Sequence, residues 1–156
     1  MSIDSVSRLN HVSVNAKDLA ASVAFYVEVL GAEPIATPNF GIPVQWLRIG
    51  ESQVHLFEVD VDPLSHHHFA ITVEDLEPVY RRLEARGAFD FEAFGNHLIE
   101  LPGDMVQTYL RDPAGNLVEL DTPGVASIPE ELRSQLRRLE DIRPQTAENM
   151  AGRLNP

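Results

Sequence analysis

The 156-residue chain contains no cysteine, so disulfide bonds and thiolate ligands have no part in its structure or chemistry. Any metal ion must therefore be bound by histidine, carboxylate, amide or water ligands. No apolar run approaches the roughly 20 residues that a membrane-spanning helix needs. The first residues also lack the basic start and apolar stretch of a secretory signal. We therefore expect a cytoplasmic protein that does not bind a membrane.

Positive charge is scarce as well. The chain has 24 acidic residues against 12 lysines and arginines, a net charge of −12. The imbalance lies before Ile128, with 19 acidic against 7 basic residues, whereas the last 29 residues are balanced. There is no cluster of basic residues and no glycine-rich loop of the kind that binds phosphates. The charge argues against nucleic acid as a partner and leaves a small molecule as the expected one.

A strand-and-helix pattern occurs twice in the chain. His11 lies in a run with strand periodicity and is followed after seven residues by Asp18, which is typical of a helix N-cap. His68 lies in a similar run and is followed after seven residues by Asp75. In both copies a glycine ends the helix, and further strands follow. The chain therefore looks like two related halves, each with a histidine in its first strand.

The two halves cover about residues 8–59 and 66–121. In each of them the pattern predicts a first strand, one helix and three further strands. We expect an α+β fold in which two βαβββ modules form a curved, barrel-like mixed sheet around a metal-containing cavity. This domain is expected to cover residues 1–124. Residues 125–156 would follow as an appendage.

Two local predictions concern the second half of the chain. Alternation favours a strand over Ala88–Phe94, followed by a loop over Gly95–Asp104. Spacing of leucines and isoleucine favours one amphipathic helix over Pro129–Ile142, after which the tail is polar enough to be flexible.

Strand alternation assigns four polar side chains to one side of the predicted sheets. The branched apolar residues of these strands are expected to face the helices. The opposite, concave side then carries His11, His55, His68 and Glu119. Three imidazoles and one carboxylate suit a divalent transition metal such as Zn, Fe, Mn or Ni better than Ca or Mg. The sequence therefore predicts a metal site.

Several segments together carry a family pattern: Leu9–Val14 with the helix after it, Gln53–Leu56, His68–Leu76 and Tyr109–Leu120. Over roughly Arg8–Thr122 the chain resembles the glyoxalase/bleomycin resistance/extradiol dioxygenase group, the vicinal oxygen chelate superfamily. The resemblance implies that His11, His55, His68 and Glu119 are the metal ligands. His55 stands at the most variable of these four positions. As an alternative to binding the metal, it would contact the substrate or one of the other ligands.

Other side chains are candidates for contact with a substrate. Glu119 is also the candidate catalytic base. Tyr109, ten residues earlier on the neighbouring hairpin strand, corresponds to a tyrosine beside the bound catechol in extradiol dioxygenases, or else it simply fills the hairpin face. Trp46 and Phe57 are expected to line the cavity. Arg48 either pairs with a substrate carboxylate or is a solvated arginine at the sheet edge.

Three functions remain open at this point. The favoured one is a metal-dependent isomerase, lyase or epimerase acting on a substrate with vicinal oxygens, although no basic patch supports a coenzyme A thioester. The second is a single-domain Fe(II) extradiol dioxygenase. Tyr109 supports this function, whereas ligation of the metal by His55 would argue against it. His97, expected at the surface, is its candidate acid–base residue. The third is a small-molecule-binding or drug-resistance protein without catalysis, which the ligand set disfavours. We expect a homodimer.

Overall fold

Two units make up the chain, residues 1–62 and 63–156, and the computed structural model describes residues 8–154 of it. The division falls in the proline-containing segment between the two repeats. Residues 1–7, expected to be a loose lead-in, lie outside the described residues, as do residues 155–156.

The first unit contains one helix and one sheet: β1 (His11–Ala16), α1 (Leu19–Leu30), β2 (Glu33–Ile35), β3 (Val44–Ile49) and β4 (Ser52–Glu58). The order of strands in the sheet is β1-β4-β3-β2. β1 runs parallel to β4, and the other neighbours are antiparallel. This is the predicted βαβββ arrangement.

Helix α1 is defined by hydrogen bonds at both ends. A side-chain oxygen of Asp18 accepts the backbone N–H of Ala21 at 2.9 Å, which satisfies a free donor of the first turn. Gly31 ends the helix with a φ of 71°, a conformation that glycine adopts without steric cost. The buried face of the helix carries Phe25, Tyr26 and Val29.

The second unit contains the remaining elements: β5 (His68–Thr72), α2 (Leu76–Arg86), β6 (Leu98–Leu101), β7 (Met105–Arg111), β8 (Leu117–Pro123), α3 (Glu130–Arg133), β9 (Arg137–Arg138) and α4 (Leu139–Ile142). The strand order is β5-β8-β7-β6-β9, with β5 parallel to β8. Elements β5 to β8 repeat the βαβββ arrangement. The α+β class is therefore confirmed, and within residues 8–154 the two mixed sheets are open rather than closed barrels.

The strand predicted over Ala88–Phe94 is wrong. Only one isolated bridge, between Phe89 and Leu110, occurs there, and the strand of this region is β6, inside the predicted loop. Asp90 accounts for the difference, because its carboxylate accepts the backbone N–H groups of residues 92 and 93. Such local hydrogen bonds compete with strand pairing.

The C-terminal helix predicted over Pro129–Ile142 is present only in part. Two four-residue helices, α3 and α4, are separated by β9, which pairs with the edge strand β6. An edge strand presents unpaired backbone groups, and β9 satisfies some of them. Leu139 and Ile142 pack against a buried cluster that includes Tyr109. Across residues 8–154, none of the helices combines the length and apolar character needed to span a bilayer.

Candidate metal centre

The two units place the four predicted ligands in the same way. In each βαβββ repeat the first and last strands, β1 and β4 or β5 and β8, are parallel neighbours. The strand partner of His11 lies two residues before His55, and the strand partner of His68 lies two residues before Glu119. His55 and Glu119 are therefore equivalent positions of the repeat, which supports the assignment of His55 to the set.

In the second unit, His68 and Glu119 are close enough to share a metal ion. His68 Nε2 lies 3.2 Å from Glu119 Oε2. Adjacent ligands of an ion with bonds of about 2.0–2.2 Å are separated by about 3.0–3.4 Å, so this pair fits a transition metal. His68 Nδ1 lies 2.7 Å from the carbonyl oxygen of His66 and donates to it, which leaves the Nε2 lone pair for a ligand.

Glu119 lies in a polar cluster inside the hairpin of β7 and β8. Its side chain is buried, and its Oε1 accepts a hydrogen bond from Gln107 Nε2 at 2.5 Å. Burial raises the pKa of Glu119 to about 7, with a further contribution from the negative charge of Asp121. Gln107 and Asp121 were not identified from the sequence. Strand alternation could have found both, because they lie two residues from Tyr109 and Glu119 on the same strands.

Tyr109 lies on the neighbouring hairpin strand, directly opposite Glu119 in the strand register. Its hydroxyl donates to Gln107 Oε1 at 2.6 Å, and the residue as a whole is 3% exposed. Burial, reinforced by the charge of Glu119, raises the pKa of Tyr109 well above its usual range. The phenol is therefore a neutral hydrogen-bond donor.

In the first unit, the rings of His11 and His55 are stacked, with centroids 4.2 Å apart. His11 Nδ1 is hydrogen-bonded to Asn10 Oδ1, so its Nε2 is the nitrogen left for a metal. His55 Nε2 instead lies 2.8 Å from Gln53 Oε1. Burial, and secondarily the neighbouring His11, lowers the pKa of His55, which favours the neutral imidazole that ligation requires. Coordination through His55 Nε2 requires release of Gln53.

A pocket of about 610 Å³ opens beside these histidines, within the first unit. Trp46 and Phe57 line it, together with His11 and His55. The Trp46 indole stacks on the His55 ring at 4.2 Å, and its buried Nε1 has no hydrogen-bond partner among the described residues. The pocket therefore has an aromatic wall beside the two histidines.

Neither Arg48 nor His97 lies in the histidine pocket. Arg48 is exposed, as in the solvated alternative, whereas His97 is buried. The Arg48 guanidinium pairs with Glu33 and does not line this pocket. The expectation that His97 lies at the surface is wrong: it is 5% exposed, and its Nε2 is hydrogen-bonded to the Tyr80 hydroxyl at 2.9 Å. A histidine enclosed in this way is poorly placed to exchange protons with a substrate.

A larger hollow of about 790 Å³ runs along α1 in the first unit, but it contains no histidine. Two of its carboxylates, Asp18 and Glu58, accept backbone N–H groups at the start of α1. They serve the helix end, so the candidate site is the histidine pocket. Within the described part of each unit, no group of three or more His, Asp or Glu side chains could by itself hold a metal ion.

Relatives of the chain are found by comparison of its sequence and of its fold with known proteins. The sequence model of the Glyoxalase/Bleomycin resistance protein/Dioxygenase superfamily matches residues 8–120. Mitochondrial methylmalonyl-CoA epimerase of Bos taurus is 41% identical over 54 residues, 33% of this chain and 31% of that protein, so the match spans less than a third of the relative. Ethylmalonyl-CoA/methylmalonyl-CoA epimerase of Cereibacter sphaeroides is 30% identical over 98 residues, 53% of this chain and 73% of that protein.

A solved structure shares the fold. The fosfomycin resistance protein FosX from Listeria monocytogenes, complexed with Mn(II) and sulfate ion, aligns with a TM-score of 0.59 at 20% identity. The alignment covers 75% of this chain and 93% of that one. The superfamily match includes both repeats and all four candidate ligands. The chain belongs to the Glyoxalase/Bleomycin resistance protein/Dioxygenase superfamily.

Proposed function

We propose that this protein is a metal-dependent enzyme of the isomerase, lyase or epimerase type, acting on a small molecule with vicinal oxygens. Its metal ligands would be His11, His55, His68 and Glu119. The observation that carries the proposal is the repeated register of the two pairs, together with the 3.2 Å separation of His68 Nε2 and Glu119 Oε2.

The donor set favours Zn, Fe, Mn or Ni, because imidazoles outnumber carboxylates. The Mn(II) complex of FosX supports a divalent ion in this fold. When bound, the ion supplies Lewis-acid polarisation of a carbonyl oxygen. Loss of any one of these four ligands should therefore abolish binding of the ion.

The side chains of the site fit proton transfer at a carbon next to a carbonyl group. Glu119 is the candidate base, since its carboxylate would lie beside the ion and could accept a proton from the substrate. Trp46 and Phe57 form an apolar wall for the substrate. The names of the two epimerases support the epimerase branch of the proposal.

The first test is the metal content of untagged protein purified without chelator. We expect about one equivalent of a transition metal per chain in the wild type, as a single four-ligand site requires. His68→Ala and Glu119→Ala should both lose it. His67→Ala is the matched control, because it shortens the same three-histidine run without touching a proposed ligand. No metal after reloading, or equal loss in His67→Ala, would contradict the proposal and favour a ligand-binding protein.

The second test asks which reaction the loaded protein catalyses. In D₂O, we expect deuterium at the α-carbon of methylmalonyl-CoA or of a short methylmalonyl thioester without phosphates, measured by mass spectrometry. Glu119→Gln should abolish the exchange. Because the chain lacks a phosphate-binding cluster, the short thioester should be accepted as well as the coenzyme A ester. Ring cleavage of catechol by iron-loaded protein, without α-exchange, would favour the dioxygenase instead.

A further inference from the structure

Gln107 lies at the centre of the polar cluster around Glu119. The cluster comprises Gln107, Tyr109, Glu119 and Asp121, all of which are less than a tenth exposed. Strand register brings them together, because Gln107 pairs with Asp121 and Tyr109 pairs with Glu119 across β7 and β8. Alternate residues of adjacent strands face the same side, so the four side chains share one face of the hairpin.

The amide of Gln107 makes three hydrogen bonds, and in each of them a donor faces an acceptor. Its Nε2 donates to Glu119 Oε1 at 2.5 Å and to Asp121 Oδ1 at 3.2 Å. Its Oε1 accepts from the Tyr109 hydroxyl at 2.6 Å. Rotating the amide by 180° would turn its oxygen towards two carboxylates, so the orientation is determined by the cluster.

These contacts decide which oxygen of Glu119 is available. Oε1 is held by Gln107, whereas Oε2 is the atom 3.2 Å from His68 Nε2. We propose that Gln107 is a positioning residue that holds Glu119 with Oε2 presented towards the metal, acting through hydrogen bonds rather than by contacting substrate or ion. This inference rests on the metal site of the proposed function.

The test uses Co(II) as the probe, because its absorption spectrum reports the ligands and geometry of the site. Gln107→Met keeps the length of the side chain but removes both N–H donors and the acceptor oxygen. We expect Co(II) affinity to fall about 10- to 100-fold in Gln107→Met, as for other residues that orient metal ligands, with an altered spectrum.

Thr108→Val is the matched control, since Thr108 is buried next to Gln107 and its hydroxyl has no partner among the described residues. It should keep the wild-type affinity and spectrum. A Gln107→Met protein with wild-type affinity and spectrum would overturn the positioning role. So would equal losses in Thr108→Val, because they would indicate a general packing effect.

A readout without metal separates this inference from the proposed function. In a crystal structure of metal-free Gln107→Met, we expect Glu119 Oε2 to move beyond hydrogen-bond distance of His68 Nε2, about 3.5 Å. If wild-type protein binds no Co(II), the metal site fails. An unmoved Glu119 in the metal-free variant would overturn the role of Gln107 whether or not the metal site holds.

Discussion

Glu119 and His97 are both buried titratable side chains, and burial shifts their pKa values in opposite directions. Burial disfavours the charged form of any group. It therefore raises the pKa of the Glu119 carboxyl and lowers the pKa of the His97 imidazole. The rings of Tyr80, Phe89 and Phe91 lie around His97, and its Nδ1 has no partner among the described residues. This environment holds His97 neutral.

The lowered pKa of His97 predicts a loss of stability in mild acid. Above the ordinary histidine pKa of about 6.5, neither the folded nor the unfolded state binds the proton. Below it the unfolded state binds the proton first, so stability falls as the pH drops towards the folded pKa, by at most about 1.4 kcal/mol per pH unit. Urea unfolding of metal-free wild type and His97→Gln between pH 7.5 and 5 measures this slope.

Comparison of the two proteins cancels the opposite contribution of Glu119, whose raised pKa makes metal-free protein less stable as the pH rises from 4.5 towards 7. The wild type should therefore lose stability relative to His97→Gln as the pH falls. His67→Gln, a change at an exposed side chain, should follow the wild type. Parallel curves for wild type and His97→Gln would show that His97 is not held neutral.

At the scale of elements, α1 and α2 carry the same sequence signal but begin differently. Both start after an aspartate and end at a glycine in the left-handed conformation. Asp18 accepts a backbone hydrogen bond in the first turn of α1, whereas the Asp75 side chain makes no such bond in α2. Helix spacing located both helices correctly, but the hydrogen bond of the cap depends on the side-chain rotamer, which the sequence does not specify.

This difference predicts unequal costs for the same substitution. Asp18→Ala should lower the free energy of unfolding by about 1 kcal/mol, because it leaves a backbone donor of the first turn unsatisfied. Asp75→Ala should lower the free energy of unfolding by only a few tenths of a kcal/mol, roughly the interaction energy of an aspartate with the helix dipole. Denaturant titration of both variants at one pH gives the comparison. Equal costs would mean that the Asp18 hydrogen bond adds nothing.

At the scale of the whole molecule, most of what could be predicted about the fold came from the internal duplication of the sequence. Two copies of one pattern predicted two βαβββ modules, and the family match over residues 8–120 agrees with them. Strand alternation also predicted that His11, His55, His68 and Glu119 share the concave side of the sheets. Within their units, His68 lies beside Glu119 and the His11 ring stacks on that of His55. The homodimer stays a prediction.

Periodicity, capping residues and the internal repeat are local properties of the chain, so the α+β class and the two long helices could be predicted from the sequence. The ligand positions stay a prediction. Tertiary structure alone decided the rest. The amide of Gln107 meets Glu119 only through strand register, and His97 is buried because the rings of Phe89 and Phe91 lie against it in the folded chain. The helical pattern near the C-terminus is interrupted by β9 because the edge of β6 offers backbone hydrogen bonds. These outcomes depend on which side chains and strand edges meet when the chain folds, and residue periodicity does not encode those contacts.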